Sequence, residues 1–334
     1  MSSSFITQIG SDINGEAASD YLGYSVSLSS DGSVVAIGAP YNDGNGNDSG
    51  HVRIYKNVNN IWTQFDSDID GEANNDRAGG SVSLSADGSV LAIGSRLNDG
   101  NGTNSGHVRV YQNVNNIWTQ VGSDIDGEGE NDKSGYSVSL SSDGSVVAIG
   151  APHNYVNGNY SGHVRIYKNV NDSWTQLGSD INGTDAGERF GFASSMSNDG
   201  NRLVIGAKDN DNQGTSAGSV EVYEYSSGSW TKMGSTIYGE AAGDLFGYSV
   251  SINGAGTRII ASAKDNDGGG SNSGHVRVYD WNGSSWVQVG TDIHGEAAGD
   301  RFGYSVSIND SGTRIVVGGP KNDAVGIRSG HVRV

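Results

Sequence analysis

Along the chain a glutamate and an aspartate recur four residues apart: Glu16 and Asp20, Glu72 and Asp76, Glu128 and Asp132, Glu240 and Asp244, Glu296 and Asp300. Once the pair is shifted, to Asp185 and Glu188, and in four copies a base follows: Arg77, Lys133, Arg189 and Arg301. Two carboxylates can divide acid and base work, but only where their surroundings separate their pKa values. A pair repeated in equivalent settings has no such asymmetry. Its expected role is to brace a loop, and no catalytic residue is assigned.

A second oxygen-rich loop carries the candidate ligand-binding asparagines Asn42, Asn98, Asn154, Asn210, Asn266 and Asn322. An aspartate follows in five of the six, with Tyr155 as the exception. Alternating oxygens at Asp43, Asn45 and Asn47, at Asp209 and Asp211, and at Asp265 and Asp267 make these the candidate calcium ligands, because Ca²⁺ takes six to eight oxygens. No glutamate closes a calcium loop at the twelfth position; Glu221 comes one residue late. Asn and Asp also close turns through their own side chains, so both readings stand. Trp281, off the repeat positions, is a candidate for stacking on a sugar.

Other chemistry is thin. His51, His107, His163, His275 and His331 share one repeat position, too far apart around a ring to hold one metal. Two residues on, Arg53, Arg109, Arg165, Arg277 and Arg333, with Glu221 replacing the arginine once, read as surface residues whose stems cover apolar area. His153 stands where the first unit has Tyr41 and reads as local variation. Gly214-Thr-Ser216-Ala-Gly218 spells a nucleophile elbow without the strand–turn–helix context that motif needs.

The elements that position these residues follow from a 56-residue period. Gly23, Gly79, Gly135, Gly191, Gly247 and Gly303 each open a stretch like "GYSVSLS", and no insertion breaks the register. Each unit reads as four strands, at 23–29, 33–39, 51–55 and 61–65 in the first. Asp31-Gly32 and its counterparts supply tight hairpins. Four antiparallel strands repeated at this period predict an all-β, six-bladed β-propeller, one domain over 1–334. The chain ends in a third strand and begins just before a fourth, so "SFITQIG" is expected to pair with "HVRV" and close the last blade. The two long connections of each unit then share one face, expected to be acidic and to carry function.

Phe246-Gly247 and Phe302-Gly303, with Gly38-Ala39-Pro40, Gly150-Ala151-Pro152 and Gly318-Gly319-Pro320 after the second strands, resemble FG-GAP repeats. That resemblance implies a propeller of the integrin α-subunit kind and an extracellular or cell-surface setting. Integrin-type propellers have seven blades and place calcium between the first and second strands. Here that connection is only "SSDGS", so calcium at the family position is not carried over.

The formal charge of -18 disfavours nucleic acid as a partner. No apolar run suits a membrane span, and "MSSSFITQIG" lacks the pattern of a signal peptide. The expected function is a monomeric, non-catalytic binding or adhesion module for a glycan or protein, with calcium as its only candidate cofactor. The alternatives are a calcium-dependent phosphatase or glycosidase of six-bladed form, and a structural repeat of a larger surface protein. An enzyme would require one unit to break the repeat symmetry at the central channel with His, Lys or clustered carboxylates, and the fourth unit, the most divergent, shows no such cluster.

Overall fold

The computed structural model describes residues 8–334. In the first blade β1 (Ser25–Leu28), β2 (Val34–Ala39), β3 (His51–Val58) and β4 (Ile61–Gln64) form an antiparallel meander. Register runs Ser25 opposite Gly38, Ala39 opposite His51, and Tyr55 opposite Gln64. The Asp31 carboxylate accepts from Ser29 Oγ and the Ser33 amide, which closes the first hairpin. Asn59 and Asn60 both adopt left-handed φ (54° and 66°) in the second hairpin, the conformation a two-residue primed turn demands.

One element exceeds the expected four. A two-residue strand, β5 (Ile69–Asp70), pairs with the start of β3, His51 opposite Asp70. β3 is eight residues long and β4 covers only its far half, so the near half is free to pair with the outgoing chain. The arrangement recurs in the next four blades, making six antiparallel sheets in a six-bladed β-propeller. The sixth sheet has three strands among the described residues. The closing strand expected from "SFITQIG" falls largely on residues 1–7 and lies outside the described residues. Ile9, just beyond them, accepts a hydrogen bond from Trp62 Nε1, as Val121 does from Trp174 in the blade-to-blade packing further on. The flank of the first blade is less covered than the others: Leu28 is 58 % exposed, whereas Leu84, Leu140, Met196, Ile252 and Ile308 are buried.

The core is a series of slabs between blades. Val34, Ala36, Val52 and Ile54 of the first blade pack on Leu84, Leu91, Ile93 and Tyr111 of the second. Innermost strands approach closely at paired glycines. A Cβ on Gly150 would lie 2.2 Å from the Gly191 carbonyl oxygen, and that oxygen also accepts from Ser137 Oγ at 3.0 Å. Neither side can move, since both are backbone of adjacent blades. Gly150→Ala is therefore expected to lower stability by roughly 1–3 kcal/mol or more. Gly326→Ala, which meets nothing within 4 Å, is the control. Denaturant midpoints should separate the two; equal midpoints would refute the close-contact argument.

Candidate functional site

The repeated carboxylates brace the crossover loops. Asp300 is buried and accepts from the Glu296 and Ala297 amides at 3.1 and 3.0 Å and from Asn322 Nδ2 at 3.0 Å. Asp20, Asp76, Asp132 and Asp244 receive the same bond from Asn42, Asn98, Asn154 and Asn266. In the fourth blade the longer Glu188 reaches Asn210 at 2.7 Å. The six candidate asparagines are thus buried, one per blade, each facing a crossover carboxylate.

The candidate calcium oxygens are engaged as follows. Asp43, Asp211 and Asp267 accept from the amides of Asp48, Ser216 and Asn272. Asn45 Nδ2 donates to the Gly71 carbonyl at 2.8 Å, and the Asn47 amide donates to Asn74. Asp209 and Asp265 sit elsewhere, beside Lys208 and Lys264. Trp281 packs on Trp286 with ring centres 5.4 Å apart.

Two groupings escape a reading by sequence position. The first lies at the start of β3 and its counterparts. Glu16, His51 and Asp68 bring their ligand atoms within 4.8 Å of one another, as do Glu72, His107 and Asp124, Glu128, His163 and Asp180, and Glu240, His275 and Asp292. Each set could hold a metal ion. Of the arginines read as surface residues, Arg53, Arg109, Arg165 and Arg277 are buried here, and Arg333 is half-buried. Arg53 and Arg277 each pair with both carboxylates of their set. Arg109 and Arg165 instead donate to the Asp70 and Asp126 carbonyls at 2.6 Å, leaving their glutamates 3.7 Å away. His163 is 1 % exposed, and both its ring nitrogens lack hydrogen-bond partners. Burial first, then Arg165, holds its pKa down to about 4, so it is neutral at pH 7.

The second grouping surrounds the channel mouth on the long-loop face. An aromatic arc runs through Tyr136, Phe192, Tyr248 and Tyr304, with successive ring centres 5.0, 5.2 and 5.3 Å apart. The second blade has Gly80 at this position, and Arg96 fills the gap, 5.6 Å from the Tyr24 and Tyr136 rings. Lys208 and Lys264 take the place of proline at the end of the second strand and lie 4.9 and 4.7 Å from Phe192 and Tyr248. Behind them stand the bases that follow the crossover carboxylate. Arg189 shares Asp209 with Lys208, and Arg301 shares Asp265 with Lys264.

His153 lies within this collar, stacked on Tyr136 (22° between ring planes) and edge-on to Tyr160 at 4.9 Å. Burial, then Lys133, Arg189 and Lys208, lower its pKa to about 4. The mouth is therefore basic, which corrects the expectation of an acidic functional face. His153, read as local variation, is the symmetry-breaking histidine.

The FG-GAP repeat family matches residues 14–55 and 294–334, in the first and last units. The first and last units thus carry FG-GAP repeats. No curated protein sequence matches it. Among solved structures this propeller is similar to the periplasmic gluconolactonase PpgL of Pseudomonas aeruginosa: TM-score 0.60, 15 % identity, 90 % of this chain and 78 % of that one. A structure from Bacteroides uniformis described as a putative 6-phosphogluconolactonase aligns at TM-score 0.49 and 13 % identity, over 82 % of this chain and 86 % of that one. At such identity the likeness is one of fold. The expectation of a non-catalytic adhesion module is nonetheless corrected: the fold it shares is one that carries an enzyme, PpgL, and the repeat symmetry is broken by a histidine at the channel.

The braces give a stability prediction. Asp300→Ala leaves two amides and one side-chain amide without their charged acceptor, an expected loss of about 2–3 kcal/mol. Asp310→Ala, at a hairpin where the side chain accepts no bond, is expected to be near neutral, and urea denaturation compares the two.

Proposed function

We propose that this propeller is a hydrolase that opens a sugar lactone or similar cyclic ester at the mouth of its channel. The observation that carries this reading is His153, neutral among cations and stacked against the aromatic arc. The PpgL fold supports the substrate class. Aromatic faces suit the apolar face of a sugar ring. The imidazole takes a proton from water as its oxygen bonds to the lactone carbonyl carbon. Lys133 and Arg96 stabilise the oxyanion that forms, the role preorganised cations fill best. The ring C–O bond then breaks, and the departing alkoxide recovers the proton from the imidazolium, giving the open hydroxy acid.

The pH dependence follows in sign. The base form of His153 exists above its pKa of about 4, so kcat/KM should rise through that region and stay flat to neutrality. Titrimetric hydrolysis of glucono-1,5-lactone is the measurement. His153→Ala is expected to reduce kcat by about 10²–10⁴-fold while retaining the parent's melting temperature. No turnover by the parent above the spontaneous rate, or an unaltered rate in the folded variant, refutes the reading.

A metal reading rests on a separate observation, the unpartnered His163 ring beside Glu128. One nitrogen and two carboxylates suit zinc or cobalt better than calcium, which prefers oxygen throughout. The second and third blades, where arginine does not bridge both carboxylates, are the favoured sites. Cobalt(II) titration should find two equivalents per chain, reduced to one by His163→Ala; no binding at all refutes it. The periplasmic setting of PpgL supports a location outside the cytoplasm. Among the described residues no helix is long and apolar enough to cross a membrane.

A further inference from the structure

The geometry points to the channel mouth as a binding site for an anionic ligand: a sugar acid or its phosphate, bound through an oxyanion by the collar of Arg96, Lys133, Lys321 and their neighbours. This deepens the hydrolase reading and rests on it for the sugar portion alone. The anion site itself stands on charge.

The chain carries 38 acidic and 20 basic residues. An unselective distribution would leave every face negative, yet bases gather around one opening. Two aspartates serve four of them: Asp209 lies 2.7 Å from Lys208 and 3.3 Å from Arg189, and Asp265 lies 2.6 Å from Lys264 and 3.1 Å from Arg301. Among the described residues no carboxylate comes within salt-bridge distance of Arg96, Lys133 or Lys321. The aspartates therefore leave the collar positive.

The cations crowd each other. Burial, then Arg96, with Arg189 and Arg77 adding, hold Lys133 below the usual lysine range. Lys321, half-buried at the rim, is lowered chiefly by Arg301. Like charges held together cost stability unless something of opposite sign relieves them. Scaffold braces do not require this arrangement, because the first blade has Tyr21, Pro40 and Tyr41 at the same three repeat positions and folds the same way. The charges are an addition to the fold. Arg96 offers a planar fork to an oxyanion and Lys133 a compact point charge. The arc supplies the stacking surface beside them, so both halves of a sugar acid are met.

Isothermal titration with 6-phosphogluconate, gluconate and glucose, at low and high salt, tests this. Both anions should bind and glucose should not. Stronger binding of the phosphate would identify a phosphate subsite, and equal binding a carboxylate one. Affinity should fall as salt rises. Lys133→Gln and Lys321→Gln should each weaken the anions roughly tenfold; Lys321 is the safer variant, lying at the rim. Equal binding of glucose, or anion binding unchanged in both variants, overturns the proposal. Anion binding without lactone turnover would keep the collar and remove the hydrolase reading. Lactone turnover uninhibited by either anion would do the reverse.

Discussion

Everything at the channel depends on how closely neighbouring inner strands approach. Gly38, Gly94, Gly150 and Gly206 stand against the carbonyls of Gly79, Gly135, Gly191 and Gly247, where any Cβ would fall about 2.1–2.2 Å from oxygen. A serine hydroxyl ties the first three of these contacts at 2.8–3.0 Å. The contact is backbone to backbone, so it has no rotamers to relax. It fixes the spacing of the first strands and hence of the residues just before them. The 5.0–5.3 Å ring separations of the aromatic arc follow from that spacing.

A rigid repeat of this kind separates two classes of position. Glycines, brace carboxylates and facing asparagines are nearly invariant among the six units, because each satisfies a backbone requirement that every blade shares. The positions of Tyr21, Pro40 and Tyr41 vary freely in charge: Lys133, Pro152 and His153 in the third unit, Arg189, Lys208 and Asp209 in the fourth. None is needed to complete a sheet. Symmetric scaffolding and asymmetric chemistry can therefore occupy one short repeat without competing.

Much of the fold is legible because its determinants are local. Asp31-Gly32 is a hairpin by its own chemistry, and the alternation of β1 is visible within seven residues. The added strand β5 was not, since two residues carry no period. The sites are hidden for a different reason. His51 meets Glu16 from the crossover before it and Asp68 from the one after it, so nothing in the neighbourhood of "HVRIY" announces a cluster. Likewise His153 is surrounded by Lys133, Arg189 and Lys208, each in a separate loop and two of them in the next unit. Aligning the units and reading down each position, rather than along the chain, would have exposed the charge at those three positions.

Net charge misleads for a related reason. A total of -18 describes the far field of the molecule, which sets solubility and repels polyanions approaching at random. Beyond about 10 Å in ordinary salt that field is screened, and a ligand at the mouth responds to what lies within a few ångströms. There the partly relieved cations and the arc dominate. An acidic exterior around a basic mouth discriminates by size: a large polyanion meets repulsion over its whole footprint, whereas a small anion that fits the opening meets only the collar. A net charge of this sign is therefore compatible with the small anionic ligand proposed for the mouth.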